Sequence, residues 1–300
     1  MAALDAAMIY CRVVLMARSL NAPKERRSAM SRFHHGVVLS RVMIVTACLL
    51  FVQAGFSGTG MGGKDLKRPV RVLYLGDSLT DYDRGSNHVD MVQAEIEKIA
   101  PRMVSFYNYA IRGDFISRVL DRFAHIKTYG IDRYDGIWGR EYDWAFVFLG
   151  HNDTYTTSKT NFTSPMMSLE TVSTGYEKLI GILKDKGIKR IIIVSPTSSN
   201  YELCASKAEK RMAAIKAGKG GKRNFAVRFG EPKHMEAFME TIRKVAADNG
   251  CEFLDVYTEM KAMPDKADLV RSTDGVHLTP KGHEYIAKKT LDYLCGSNCK

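Results

Sequence analysis

Arg71-Val72-Leu73-Tyr74-Leu75-Gly76-Asp77-Ser78-Leu79-Thr80-Asp81 is the stretch from which the rest of the chain can be ordered. Its first five residues form a short apolar run closed by a glycine, the pattern of a strand buried on both faces. Runs of the same kind recur at Val104–Ala110, Ala145–Leu149, Arg190–Val194 and Glu252–Val256. Between them, helical periodicity predicts helices over Val89–Ile99, Phe115–Ile126, Ser168–Lys186 and Glu236–Asn249, with a closing helix at Gly282–Leu294. Strands alternating with amphipathic helices predict a five-stranded, mainly parallel sheet covered on both faces. In open sheets of that kind, ligands bind outside the carboxyl ends of the strands. Ser78 stands at such an end, on a turn, where its hydroxyl is accessible. A serine hydroxyl is a weak nucleophile until a base takes its proton, so the turn poses a question to the rest of the chain.

Asp274-Gly275-Val276-His277 answers part of it. An aspartate three residues before a histidine can sit on the same turn, fix the imidazole tautomer and stabilise the imidazolium. Asp274 could equally cap a turn, and His283 is a second candidate base. Gly113, after the second strand, lets a backbone N–H approach a ligand closely. Asn152, in Gly150-His151-Asn152-Asp153 after the third strand, can aim a side-chain amide at a developing oxyanion. One such donor is worth about 100- to 1000-fold in rate. Gly, Asn and Asp are also the ordinary residues of turns, so neither motif decides the matter alone.

Taken together, the four blocks make the chain resemble the SGNH hydrolases, or GDSL-type esterases and lipases. These blocks are Gly76-Asp77-Ser78-Leu79, Asn108-Tyr109-Ala110-Ile111-Arg112-Gly113, Gly150-His151-Asn152-Asp153 and Asp274-Gly275-Val276-His277. The resemblance runs from Val70 to Leu294. It implies a three-layer α/β/α, flavodoxin-like domain. It also implies Ser78 as nucleophile, His277 as general base and Asp274 as its orienter. The implied oxyanion hole combines the Ser78 and Gly113 N–H groups with the Asn152 side chain. No cofactor and no metal are implied.

Two insertions leave the catalytic edge and are expected to shape the pocket: Thr154–Ser164 and Thr197–Pro232, the latter read as a polar, basic loop. Tyr155, Tyr201 and Arg228 are the substrate-binding candidates they offer. Tyr129–Tyr142, with Trp138, precedes its strand and is expected on the far side in a structural role.

The net charge of +11 is uneven, since residues 1–54 carry seven basic and two acidic side chains. The basic residues near 207–223 form a solvated segment without the aromatic interleaving of a nucleic-acid surface. Arg41 is followed by an apolar run, Val42–Val52, too short for a comfortable membrane span, and then by Val52-Gln53-Ala54, a small-residue cleavage pattern. The expected organisation is an export signal at 1–54, with Met1 or Met30 as the start, a linker at 55–68 and the hydrolase domain at 69–300. Lipidation at Cys48 and an uncleaved anchor are the rival readings. In an exported protein Cys204, Cys251, Cys295 and Cys299 suggest disulfides of open connectivity.

The expected activity is hydrolysis of short-chain or O-acetyl esters, small or polysaccharide, by an exported serine esterase, with the membrane involved only through the N-terminus. Lysophospholipase or thioesterase activity, a non-catalytic carbohydrate-binding module and a metal-dependent phosphoesterase are the alternatives. The last fits poorly, because its carboxylate and imidazole ligand set is incomplete.

Overall fold

The computed structural model describes residues 69–126, 133–222 and 224–295. The expected signal and linker, Cys11, Cys48 and Cys299 lie outside these residues. Five strands form the central sheet: β1 (Val70–Gly76), β2 (Val104–Asn108), β3 (Trp144–Phe148), β4 (Arg190–Val194) and β5 (Glu252–Leu254). Their order is β2-β1-β3-β4-β5 and every pair is parallel. This is the flavodoxin-like order, whose switch point lies between β1 and β3. Gly76 is level with Phe148, and Phe148 with Val194. The carboxyl ends of β1, β3 and β4 therefore form one edge, and the Ser78 turn leaves β1 at the switch point.

The inner strands β1, β3 and β4 are apolar almost throughout because both faces are covered, whereas the edge strands β2 and β5 are only partly buried. Leu73 and Leu75 point into a core shared with Ile116 of α2 (Ile116–Phe123), Tyr176 of α3 (Leu169–Asp185) and Phe238 of α5 (Pro232–Asp248). Val72 and Tyr74 point the other way, against Val92 and Ile96 of α1 (His88–Ile99) and Ile286 of α6 (Pro280–Cys295). Burying one such side chain stabilises by about 1.5–3 kcal/mol.

Some boundaries differ from expectation. β2 ends at Asn108, because the Ala110 amide turns back onto Asn108 Oδ1 at 3.0 Å. α5 starts at Pro232, a residue suited to a first helical turn, where no backbone donor is needed. The larger correction concerns Thr197–Pro232. It is not a loop throughout but contains α4 (Tyr201–Lys216), capped by Asn200, whose side chain accepts from the Leu203 amide at 3.1 Å. Only Cys204 and Ala208 of this helix are buried. So narrow an apolar stripe gives a weak periodic signal among the basic residues. A two-stranded antiparallel ribbon, Thr156–Thr157 with Val227–Arg228, ties the two insertions together. Trp138 stacks on Phe123 at 5.2 Å, ahead of β3, in the structural setting expected of it. Among the described residues, no helix is long and apolar enough to cross a membrane.

Candidate active site

Asp77 follows β1 and its carbonyl accepts the Thr80 and Asp81 amides at 3.1 and 2.8 Å, closing the turn that carries Ser78. Its carboxylate accepts the Leu79 amide at 2.9 Å. A side chain at Gly76 would meet Thr80 Oγ1 at 2.7 Å, so only glycine lets the turn fold this tightly. Asn108 Nδ2 reaches the Thr80 carbonyl (3.1 Å) and the Ile111 amide reaches the Gly76 carbonyl (3.1 Å), so the end of β2 braces the turn.

The second half of the site is a tight loop before α6. The Arg271 amide donates to the His277 carbonyl and the Gly275 amide to the Arg271 carbonyl, both at 2.7 Å. Asp274 Oδ1 accepts the Val276 and His277 amides at 2.8 Å each, while its Oδ2 lies 3.2 Å from His277 Nδ1. The aspartate is thus a turn cap and a histidine partner at once. Partial burial works against its charge, but the two amides and the imidazole outweigh that and hold the carboxyl below the ordinary aspartate range. His277 Nε2 lies 3.0 Å from Ser78 Oγ. His283 does not reach the serine; its Nδ1 lies 3.4 Å from Nδ1 of the buried His88.

The Ser78 and Gly113 N–H groups donate to no protein acceptor among the described residues, and both residues line the hollow over the serine. Gly113 has φ +78°, a conformation that strains other residues. Asn152 Nδ2 donates to the Asp114 carbonyl at 3.0 Å and lies 3.3 Å from Asp77 Oδ2.

The model of the GDSL-like lipase/acylhydrolase family matches residues 74–285. The chain belongs to that family. Among solved structures, it resembles a lipase/acylhydrolase from Enterococcus faecalis at 16% identity, over 76% of this chain and 96% of that one, with a TM-score of 0.52. It is also similar to an acetyl xylan esterase, AlAXEase (18%; 74% and 98%; 0.52), and to an acetylxylan esterase from Geobacillus stearothermophilus (18%; 75% and 94%; 0.51). At these identities the likeness concerns the fold. No curated protein matches the chain in sequence.

In this GDSL-like protein the hollow measures about 480 Å³, with Asp81, Tyr82, Arg112, Arg271, Leu278 and His283 beside the residues already described. Sequence reasoning gave none of these six a substrate role, although Arg112 adjoins Gly113 and Arg271 stands three residues before Asp274. Tyr155, Tyr201 and Arg228 are not in its lining. The structure engages them elsewhere, within and between the insertions. Tyr155 packs edge-on against Phe229, the Tyr201 hydroxyl donates to Glu231 at 2.5 Å, and Arg228 covers the Phe162 ring.

Buried polar groups lie behind the turn. Burial pushes the Asp77 carboxyl up to about 7, against the Leu79 amide and helped by the charges of Asp153 and Asp114. Burial likewise pushes Asp153 up to about 7. Asp114 takes a two-point ion pair from Arg122, Nε to Oδ2 at 2.8 Å and Nη2 to Oδ1 at 2.9 Å. Burial still outweighs that pairing and leaves the Asp114 carboxyl raised. His151 Nε2 pairs with Thr197 Oγ1 at 2.9 Å, and burial, aided by His277, lowers its ring to about 4. Among the described residues, no cluster of His, Cys, Asp and Glu is suited to a metal ion. Cys204 and Cys251 are free thiols.

Proposed function

We propose that this chain is an exported serine esterase that removes short-chain acyl groups, O-acetyl groups on carbohydrate foremost, through an acyl-enzyme intermediate. The observation that carries the reading is the continuous Asp274–His277–Ser78 contact, 3.2 and 3.0 Å, beside two unpartnered N–H groups in one hollow. Ser78 Oγ attacks the ester carbonyl as His277 Nε2 takes its proton. Asp274 holds the imidazole in the tautomer that accepts at Nε2. The negative oxygen forms against the Ser78 and Gly113 N–H groups. Asn152 completes the set when the N–H of its longer contact, to Asp77, turns to donate a hydrogen bond to the oxyanion. His277 then protonates the leaving alcohol, and water, deprotonated by the same ring, releases the acid.

The carbohydrate preference is supported by the polar second insertion and by the acetylated-xylan esterases among the structures of like fold. Export is supported by the apolar run and cleavage pattern ending at Ala54. With Cys204 and Cys251 free, a bridge between Cys295 and Cys299 is the disulfide we favour.

A fluorophosphonate probe tests the mechanism. It should label the wild type and not Ser78→Ala, whose kcat should fall on the order of 10⁶-fold. A folded wild type that resists the probe overturns the reading. Acetylated glycans compared with p-nitrophenyl esters of graded chain length then define the substrate.

A further inference from the structure

The hollow over Ser78 is lined by two arginines, Arg112 and Arg271, and two carboxylates, Asp81 and Asp274, but these charges are not paired one to one. Asp274 is committed to His277, which leaves Asp81 as the other carboxylate in the lining. Asp81 is claimed twice: Arg133 Nη1 lies 2.7 Å from one oxygen, and Arg112 Nε lies 3.6 Å from the other. Arg271 makes no ion pair among the described residues. Its Nε donates to the Leu278 carbonyl at 3.3 Å, and its guanidinium lies 5.0 Å from the centroid of the Tyr82 ring.

Tyr82 in turn stacks on His283 at 4.6 Å, and His283 on His88 at 5.7 Å. This column fixes the guanidinium without supplying a counter-charge. Burial, assisted by Arg271 itself, lowers His283 to about 4, and burial, assisted by His283, lowers His88 as well. Both rings are therefore neutral at ordinary pH. A guanidinium pinned through Nε still offers two parallel N–H donors from its Nη groups, and neither Nη group has a protein acceptor among the described residues. That fork matches the two oxygens of a carboxylate.

We infer that Arg271, supported by Arg112, binds a carboxylate carried by the substrate beside its scissile ester, so that the esterase prefers anionic esters, such as acylated sugar acids, over neutral ones. The inference rests on the esterase reading of the same hollow. A guanidinium kept only to close the loop would need its backbone and Nε. It would not need to lie in the hollow with its fork unpaired.

The test uses 4-acetoxybenzoate and its methyl ester, which differ in one charge. Titration calorimetry on the full-length Ser78→Ala protein should find the anion bound at least about tenfold more tightly, the size of one charge-assisted hydrogen bond. The difference should shrink with added salt and vanish when Arg271→Gln is added. With Ser78 intact, the ratio of kcat/KM for the two esters should follow the same pattern. A ratio is the right readout because the Arg271 backbone also holds the His277 loop, so absolute rates can fall for another reason. Arg271→Lys keeps the charge without the fork, and Arg112→Gln alters an exposed side chain. Each should lower the ratio, and they carry the test if Arg271→Gln does not fold. Equal affinities in the parent, or a preference unchanged in every variant, overturns the inference. An anion preference without hydrolysis of either ester would support the subsite and sink the esterase reading. Equal hydrolysis with equal affinity would do the reverse.

Discussion

The two turns that meet at the catalytic hollow are stabilised in opposite ways. Behind Ser78, Asp77, Asp114, Asp153 and His151 are all buried and each is touched by a distant part of the chain, Asp114 by Asn152 on its carbonyl while its carboxylate takes the nearby Arg122. Around His277 most of the bonds are local, between residues 271 and 278, with Asn200 and Cys204 of the second insertion reaching in, and the His277 and Asp274 side chains remain 40% and 36% exposed. The proposed nucleophile, Ser78, is therefore backed by the same buried polar network that packs beneath its turn. The proposed base is positioned mainly by a small loop, and its half-exposed side chain could be altered with little effect on the fold.

The sharpest way to expose the difference is at the base. His277→Ala should reduce kcat on the order of 10⁶-fold while changing stability by no more than about 0.5 kcal/mol, as for other surface substitutions. A large loss in a denaturant titration would contradict the local character of that loop. On the buried side the balance inverts. Arg122→Ala leaves the Asp114 carboxylate unpaired, which should cost about 3–5 kcal/mol of folding free energy, measurable as a lower urea midpoint. An unchanged midpoint would mean that the network is not structural.

Asn152→Ala, between the two regimes, should reduce kcat by about 100- to 1000-fold. A loss confined to KM would show that its amide stays on Asp77 and the Asp114 carbonyl and never serves the oxyanion. The smallest effect concerns pH. The folded Asp77 carboxyl sits near 7, above its ordinary 3.8, so it retains a proton that the unfolded chain gives up. Its contribution to stability is present at low pH and is lost as pH rises through about 7. Asp77→Asn removes that dependence, so the difference in melting temperature should move in favour of the variant between pH 5 and pH 8. A difference that stays constant across that range would refute the buried-acid account.

Much of this could be read from the sequence. The β1 run and its successors announce a parallel sheet because strands buried on both faces must be apolar at every position. The four motif blocks stand at strand ends or just before the last helix, so the strand-end rule alone brings Ser78, Gly113 and Asn152 to one edge. What escaped the sequence depends on contacts between distant residues. Tyr155, Tyr201 and Arg228 carry suitable chemistry, but it is engaged within the insertions. Arg271 and Tyr82 lie far apart in sequence, and only the fold stacks one on the other. α4 was hidden because a helix that buries two small residues, Cys204 and Ala208, shows almost no periodicity.

That helix has a consequence for anyone seeking a smaller enzyme. The Asn200 amide donates to the Gly275 carbonyl at 2.8 Å, and the Cys204 thiol lies 3.4 Å from the Asp274 carbonyl. A side chain at Gly275 would meet the Asn200 carbonyl at 2.9 Å, so helix and loop are fitted to each other without slack. Trimming the second insertion as dispensable decoration would therefore remove the backstop of the proton relay. A minimal scaffold has to keep 200–204, and residues 217–222, beyond the end of the helix, are the safer place to cut or to attach a fusion.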